Sequence, residues 1–379
     1  MTVDLLRCAL PARPDPDLAH AIARPKLAGA AEQALAAARA NRAYAAGVLA
    51  KWFRKNRWLG SKERPVVQEA VYGVIRHEAL LTRAGAWDDA ARVAAWGRLV
   101  GGDRFDALAP STPAEDYATA LSLGFRVARE WLEHLGPADA AALGAALSER
   151  APLTLRANRL KVTREALAAR LVDEGVETAP TPHAPDGLFV LGRANLQGLE
   201  SFRDGWFEVQ DEASQLLVQA VPVDKDQRVL DLCAGAGGKS LGLAARRARV
   251  TAFDVRDDAL RELVKRARRA GAEIDIDEPQ PAPVVLVDAP CSGTGRLRRD
   301  PALRWGLEPG ALIDEQADIL AGAAELVEPG GALVYATCSL LADENGHAAP
   351  DGFEETERRW LWPHRDGTDG FFWVVWRRV

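Results

Sequence analysis

At 379 residues, 48% of them hydrophobic, the chain is long enough for two or three packed domains. Its net charge of −6 excludes a surface coated in positive potential, and no apolar run approaches the roughly 20 residues that span a bilayer. The opening MTVDLLRCALPARP has neither the length nor the cleavage pattern of a signal peptide, so a soluble cytoplasmic monomer with no membrane partner is expected. Four cysteines, Cys8, Cys233, Cys291 and Cys338, lie far apart with no CxxC or Cys/His ligand spacing. They are expected to be thiols, with neither a metal site nor a disulfide framework.

Residues 1–150 carry 20 Lys and Arg against 17 Asp and Glu, a balance of +3 that leaves −9 for the remainder. Apolar spacings of three and four in NRAYAAGVLAKWF and PVVQEAVYGVIRHEALL predict a helical bundle here. Between them, KWFRKNRWLGSKER interleaves Lys51, Arg54, Lys55, Arg57, Lys62 and Arg64 with Trp52, Phe53 and Trp58. Such a mixture can grip phosphates and stack on unpaired RNA bases. A solvated helix face with its aromatics in the core has the same composition.

Residues 151–220 change character: a strand-like LTLRAN, a helix from Thr163 and a strand-like GLFVLG, separated by Pro and Gly, predict a small α/β subdomain. Over 221–379 strands alternate with helices: RVLDLCAG, SLGLAARRA, RVTAFDV, RDDALRELVKRARRAGA, EIDID, VVLVDAP, ALIDEQADILAGAAELV and GALVYATCS. This alternation specifies an α/β fold of Rossmann-like type, a parallel sheet with helices on both faces.

The segment DLCAGAGGKS closes the first of these strands and opens a helix, the place where a doubly wound sheet binds its ligand. Glycines admit close approach of the backbone, and the helix N-terminus offers N–H groups. A P-loop, GxxxxGK[ST], is missed because Cys233 stands in the first glycine position, although Gly238, Lys239 and Ser240 fit. A dinucleotide fingerprint, GxGxxG, is missed at Ser240, although Gly235 and Gly237 fit. A methyltransferase needs an acidic residue at the end of the second strand to accept hydrogen bonds from both ribose hydroxyls, and Asp254 is in that place. An NAD enzyme would use the same residue, so Asp254 separates nucleoside cofactors from a nucleotidase and no further.

The strand VVLVDAP runs into Cys291 and the strand ALVYAT into Cys338, so both thiols are expected at the carboxyl edge that carries the glycine loop and Asp254. A buried cysteine is ordinarily an inert small hydrophobe, but two at neighbouring strand ends suit one demanding reaction. C5 of a pyrimidine is scarcely nucleophilic until a thiolate adds at C6. A base must then take the C5 proton so that the thiol can leave. Asp288 is positioned to hydrogen-bond the N3/N4 edge of cytosine, and the base must leave its stack to reach these groups.

The motifs DLCAGAGGK, LVDAPCSGTG with RRDPALRW, LVYATCSLLADENG and TDGFFWV resemble RsmB-type RNA cytosine-C5 methyltransferases of the Nop2/Sun class, over about 41–379. The resemblance implies S-adenosylmethionine as cofactor and RNA, ribosomal RNA in particular, as substrate. It implies that Cys338 of the TCS motif attacks and that Cys291 of PCSGTG assists release. Chemistry alone leaves that order open, since DNA cytosine methyltransferases attack with a Pro-Cys thiol. The cofactor-binding set carried over is Cys233, Ala234, Gly235, Ala236, Gly237, Gly238 and Lys239, with Asp254, Asp288 and Asp277, the last chosen over Asp275 to face the adenine. GSKERPVVQEAVYGVIRH resembles a NusB-like RNA-binding domain, which favours RNA for the basic segment, and residues 151–220 resemble an RRM-like linker subdomain. The usual AAPGGK appears here as AGAGGK. Two competing readings are an RNA-binding assembly factor without turnover, opposed by the retained thiols, and a P-loop nucleotidase, opposed by Cys233.

Overall fold

Small residues and well-made caps shape the helical part of the chain. In the computed structural model, which describes residues 3–41 and 45–379, helices run over Pro16–Ile22, Pro25–Arg39, Ala45–Lys55, Glu63–Arg83, Asp89–Val100, Pro113–Leu121 and Phe125–Ser148. Residues 42–44, within the helical pattern NRAYAAGVLAKWF, lie outside the described residues. Asp15 caps the first helix through the Leu18 N–H at 2.9 Å, with Pro16 at its first position. Thr112 and Glu115 form a capping box on the sixth. Ala30, Ala31, Ala34 and Ala38 let neighbours approach closely around Leu35, Val71, Val74, Ile75 and Leu99. At Gly73 a Cβ would lie 2.1 Å from the Trp96 ring, so only glycine fits that crossing. The last helix breaks at Gly136, whose φ is 74°, followed by Pro137.

The chain forms two compact units: Met1–Arg150 with Ser292–Pro309 and Pro363–Arg365, and Ala151–Cys291 with Gly310–Trp362 and Asp366–Val379. Within the first, the segment that follows Cys291 is held by Arg304. Its guanidinium donates to the carbonyls of Leu121 at 2.8 Å, Leu297 at 2.9 Å and Leu147 at 3.3 Å, all buried.

The second unit contains two sheets. The smaller has strands β1 (Thr154–Ala157), β2 (Thr178–Pro180), β3 (Gly187–Val190) and β4 (Phe207–Val209) in the order β2-β3-β1-β4, every pair antiparallel. Helix Arg164–Asp173, capped by Thr163, contributes Leu167 and Leu171 to a core with Leu155, Leu188 and Phe207. Sequence patterning points to β1 and β3 but not to β2 and β4, which are three residues each and too short to show alternation.

The larger sheet has β5 (Arg228–Asp231), β6 (Arg249–Ala252), β7 (Ile274–Ile276), β8 (Ala282–Asp288), β9 (Val327–Thr337), β10 (Phe353–Leu361) and β11 (Phe371–Arg378), ordered β10-β11-β9-β8-β5-β6-β7. Strands β5 to β9 are parallel, and β11 lies antiparallel between β9 and β10. The unbroken apolar run Val284–Val287 fits a strand buried on both faces. Strand order reverses at β5, flanked by β6 and β8, which makes its carboxyl end the switch point where such sheets bind ligands. No helix among the described residues is long and apolar enough to cross a membrane.

Arg304→Ala would strip the donor from three buried carbonyls at once. Denaturant unfolding is expected to show the helical unit weakened by roughly 3 kcal/mol; a loss well under 1 kcal/mol would mean that water replaces the guanidinium without cost.

Candidate active site

The register of the sheet brings three strand ends level. Asp231 of β5 lies opposite Leu286 of β8, and Asp288 of β8 opposite Ala336 of β9, so each chain leaves the sheet at the same edge. The glycine loop follows β5. Gly235 and Gly237 adopt φ of 54° and 81°, the left-handed region that suits glycine, and a Cβ on Gly237 would come within 2.6 Å of Leu263. Helix Gly238–Ala245 begins at once, and the N–H groups of its first turn have no intrahelical partner.

The loop is braced from the small sheet. Arg156 of β1, fully buried, donates to the Gly238 carbonyl at 2.8 Å and to Gln210, which itself donates to the same carbonyl at 3.1 Å. Ala236 offers its carbonyl to Arg266 at 2.6 Å. Ala234 is buried, and its N–H donates to Phe253 at the end of β6. Cys233 is half-buried, and burial, with the charges of Asp231, Asp288 and Asp254, pushes its thiol up to about 12. It stays protonated at neutral pH.

Asp254 is buried beyond the end of β6 and gathers the loop. One oxygen accepts from the Gly235 N–H at 2.7 Å and from Nη2 of Arg256 at 3.2 Å; the other accepts from the backbone N–H and Nε of Arg256 at 2.9 and 3.0 Å. Burial alone would raise this carboxyl, but the hydrogen bonds from Arg256 and Gly235 hold it below the ordinary aspartate range. Asp277 is exposed just past β7, where Oδ1 accepts from the Glu278 N–H at 2.8 Å. Asp275 lies within β7 opposite Thr251 and lines a separate cavity with Asp226, Arg247 and Arg249.

Across the switch point, Lys239 of the loop helix is ion-paired to Asp288 at the end of β8. Burial would depress the Lys239 ammonium, but Asp288, supplemented by Cys338 and Asp231, holds it above an ordinary lysine. Its Nζ also lies 5.4 Å from the centre of the Phe371 ring, at the start of β11.

The two thiols meet: Sγ of Cys291 is 3.4 Å from Sγ of Cys338, close enough for either to donate to the other. Each turn is pinned. Thr337 Oγ1 donates to Asn345 at 2.6 Å and accepts the Ser339 N–H at 3.2 Å, while Asn345 donates to the Ser339 carbonyl at 3.0 Å. On the other side Gln316 donates to the Pro290 carbonyl at 2.8 Å and faces His347 at 3.3 Å.

The basic segment belongs to the other compact unit. Lys51, Arg54, Lys55, Arg57 and Lys62 are exposed, whereas Arg64 is half-buried and donates to the Leu59 carbonyl at 3.1 Å. Trp52 and Phe53 meet edge-to-face and both pack against the helical core; Trp58 stays half-exposed, with Lys26 over its ring at 5.5 Å. Two of the three aromatics are therefore structural.

Several site residues carry no motif signal. Arg156 and Gln210 come from a different sheet, and Arg256 passes for an ordinary surface charge. Asp231 and Ser240 were visible as the strand end and helix start, but their bond was not: Ser240 Oγ donates to Asp231 at 2.6 Å, while the other Asp231 oxygen, fully buried, has no partner.

Residues 218–351 match the sequence model of the family described as 16S rRNA methyltransferase RsmB/F, and residues 127–197 match the RsmF/B-like ferredoxin-like domain. Over residues 218–351 the chain therefore matches the RsmB/F methyltransferase family. Domains of this family are S-adenosylmethionine-dependent. The ribosomal RNA small subunit methyltransferase B of Salmonella arizonae is 35% identical over 214 residues, 52% of this chain and 50% of the relative. That of Pectobacterium carotovorum is 31% identical over 272 residues, 64% and 63%. The chain spans about half the length of the first of these relatives. Among solved structures, PH0851 aligns with a TM-score of 0.76 at 21% identity, covering 92% of this chain and 98% of that one. A methyltransferase homologue from Pyrococcus horikoshii aligns at 0.61 and 24% identity, covering 71% and 100%. These likenesses establish the Rossmann-like methyltransferase fold of the RsmB/F domain.

Burial, opposed by the Ser240 hydrogen bond and reinforced by Asp288, raises the Asp231 carboxyl to about 6. A carboxyl raised on folding binds its proton more tightly in the native state, so its contribution is full below pH ~4 and is lost as pH rises through about 6. Asp231→Asn, which keeps the Ser240 contact, is expected to flatten the pH dependence of thermal stability across that window. An unchanged slope would assign it to another group.

Proposed function

We propose that this protein methylates C5 of a cytosine in RNA, most naturally ribosomal RNA, through a covalent adduct between Cys338 and C6. The observation that carries the reading is the meeting of two strand-end thiols at 3.4 Å on the sheet edge that also holds the glycine loop. One thiol would suffice for an inert core position. Two pinned beside a buried Lys–Asp pair fit a reaction that adds sulfur to a base and later removes it.

The residues present fit an adenosyl cofactor. The left-handed backbone at Gly235 and Gly237 lets the loop turn tightly against a ligand, Asp254 offers carboxylate oxygens at the end of β6, and the helix from Gly238 presents backbone N–H groups. The partnerless buried oxygen of Asp231 is one more acceptor directly behind the loop. Cys233 to Lys239, with Asp254, would hold the cofactor, and Asp277, past the end of β7, is assigned to the adenine. When bound, S-adenosylmethionine supplies an electrophilic methyl group.

The chain's own part follows from charge and position. The Lys239 ammonium stabilises negative charge on the Cys338 sulfur, whose addition at C6 makes C5 of the base nucleophilic. Asp288 takes Lys239 on Oδ2, and Oδ1 is left to accept the N4 amino group, which selects cytosine. When a general base accepts the C5 proton, the freed electron pair re-forms the C5–C6 double bond and the C6–S bond breaks with its electrons on the Cys338 sulfur, to which Cys291, in contact with it, gives a proton. Lys51, Arg54, Lys55, Arg57, Lys62 and Arg64 of the 1–150 domain are assigned to RNA phosphates, with 151–220 as a linker subdomain and 221–379 as the catalytic domain.

Cys338→Ala is expected to abolish methyl transfer, by a factor of at least ~10³, and Cys291→Ala to accumulate a protein–RNA adduct that survives a denaturing gel. An adduct trapped by Cys338→Ala instead would exchange the two roles. Bisulfite mapping of ribosomal RNA from a deletion strain would identify the cytosine.

A further inference from the structure

The carboxylate assigned to the ribose is already fully engaged. A carboxylate has about four acceptor positions, and all four on Asp254 are taken: by the Gly235 N–H, the Arg256 N–H, and Nε and Nη2 of the Arg256 side chain. The Gly235 bond shapes the glycine loop, the Arg256 backbone bond closes the turn after β6, and both must persist. The two side-chain bonds come from a guanidinium that is 66% exposed, on a carboxylate that is only 5% exposed.

A guanidinium fork and a vicinal diol make the same demand on a carboxylate, two parallel donors aimed at its two oxygens. We propose that Arg256 closes the ribose end of the cofactor site, occupying on Asp254 the positions that a ribose diol takes, and swings into solvent when an adenosyl ligand enters. Arg256 is thus a positioning residue that sets cofactor affinity; the inference rests on the reading of this loop as an adenosyl site. Nη2 of Arg256 is also the atom nearest to where a Cβ on Gly235 would stand, at 3.5 Å, so the closed side chain lies over the glycine loop itself.

Two consequences separate this role from one of merely supporting Asp254. Apparent affinity falls with the fraction of molecules in the open form, so removing the side chain should tighten binding. An ion pair with an exposed partner is weakened by salt, so salt should favour the open form of the wild type. S-adenosylhomocysteine carries no net charge at neutral pH, so its own salt dependence is small.

The test is calorimetric titration of the full chain with S-adenosylhomocysteine, for wild type, Arg256→Ala and Arg256→Lys, at about 0.05 and 0.5 M salt. The expected result is roughly threefold to tenfold tighter binding by Arg256→Ala, an intermediate gain for Arg256→Lys, which cannot fork, and a rise in affinity with salt in the wild type, smaller in Arg256→Lys and absent in Arg256→Ala. Equal or weaker binding by Arg256→Ala overturns the proposal while leaving the cofactor reading intact. If no variant binds S-adenosylhomocysteine at either salt, the cofactor reading falls and takes the proposal with it.

Discussion

The ion pair between Lys239 and Asp288 joins the two halves of the site. Lys239 opens the helix after the glycine loop, Asp288 ends β8, and the switch point of the sheet lies between them. Both side chains are largely buried, so neither charge is tolerable without the other. Their pairing fixes the glycine loop relative to the thiols, and the same ammonium supplies positive potential at Cys338. The remainder of the site supports this pair.

That support comes from outside the Rossmann-like sheet as well as from within it. Arg156 and Gln210 reach from the four-stranded sheet to a single carbonyl at the helix start, which gives the small sheet a physical part in shaping the glycine loop. Gly242 admits Arg156, since a Cβ there would stand 2.7 Å from the guanidinium. The thiol turns are held by neutral groups, Thr337 and Asn345 on one side and Gln316 on the other. Such bonds fix geometry without adding charge next to sulfur.

The parallel core, the glycine loop and the strand-end positions of Asp254, Asp288, Cys291 and Cys338 were legible because each sits in a local pattern: apolar strand, turn, polar or reactive residue. The 3.4 Å approach of the thiols was legible only as a shared edge; the register of β8 against β9 sets it. What escaped the sequence was long-range or conformational. Arg156 lies 82 residues from the carbonyl it holds, and nothing near Arg156 announces that contact. The fork of Arg256 on Asp254 is local, yet it depends on a rotamer that composition does not specify. In KWFRKNRWLGSKER, interleaving alone could not say that Trp52 and Phe53 turn inward while Trp58 remains outside.

The central claim is that the sulfur of Cys338, and not that of Cys291, bonds to the base. RNA containing 5-fluorocytosine cannot lose a proton at C5, so an adduct formed on it persists. Incubating the intact protein with such RNA and S-adenosylmethionine, followed by proteolysis and mass spectrometry, reads out the attachment site directly. The account predicts a methylated fluorocytidine on the peptide that contains Cys338; attachment at Cys291, or no attachment under conditions that support methyl transfer to unmodified RNA, would contradict it.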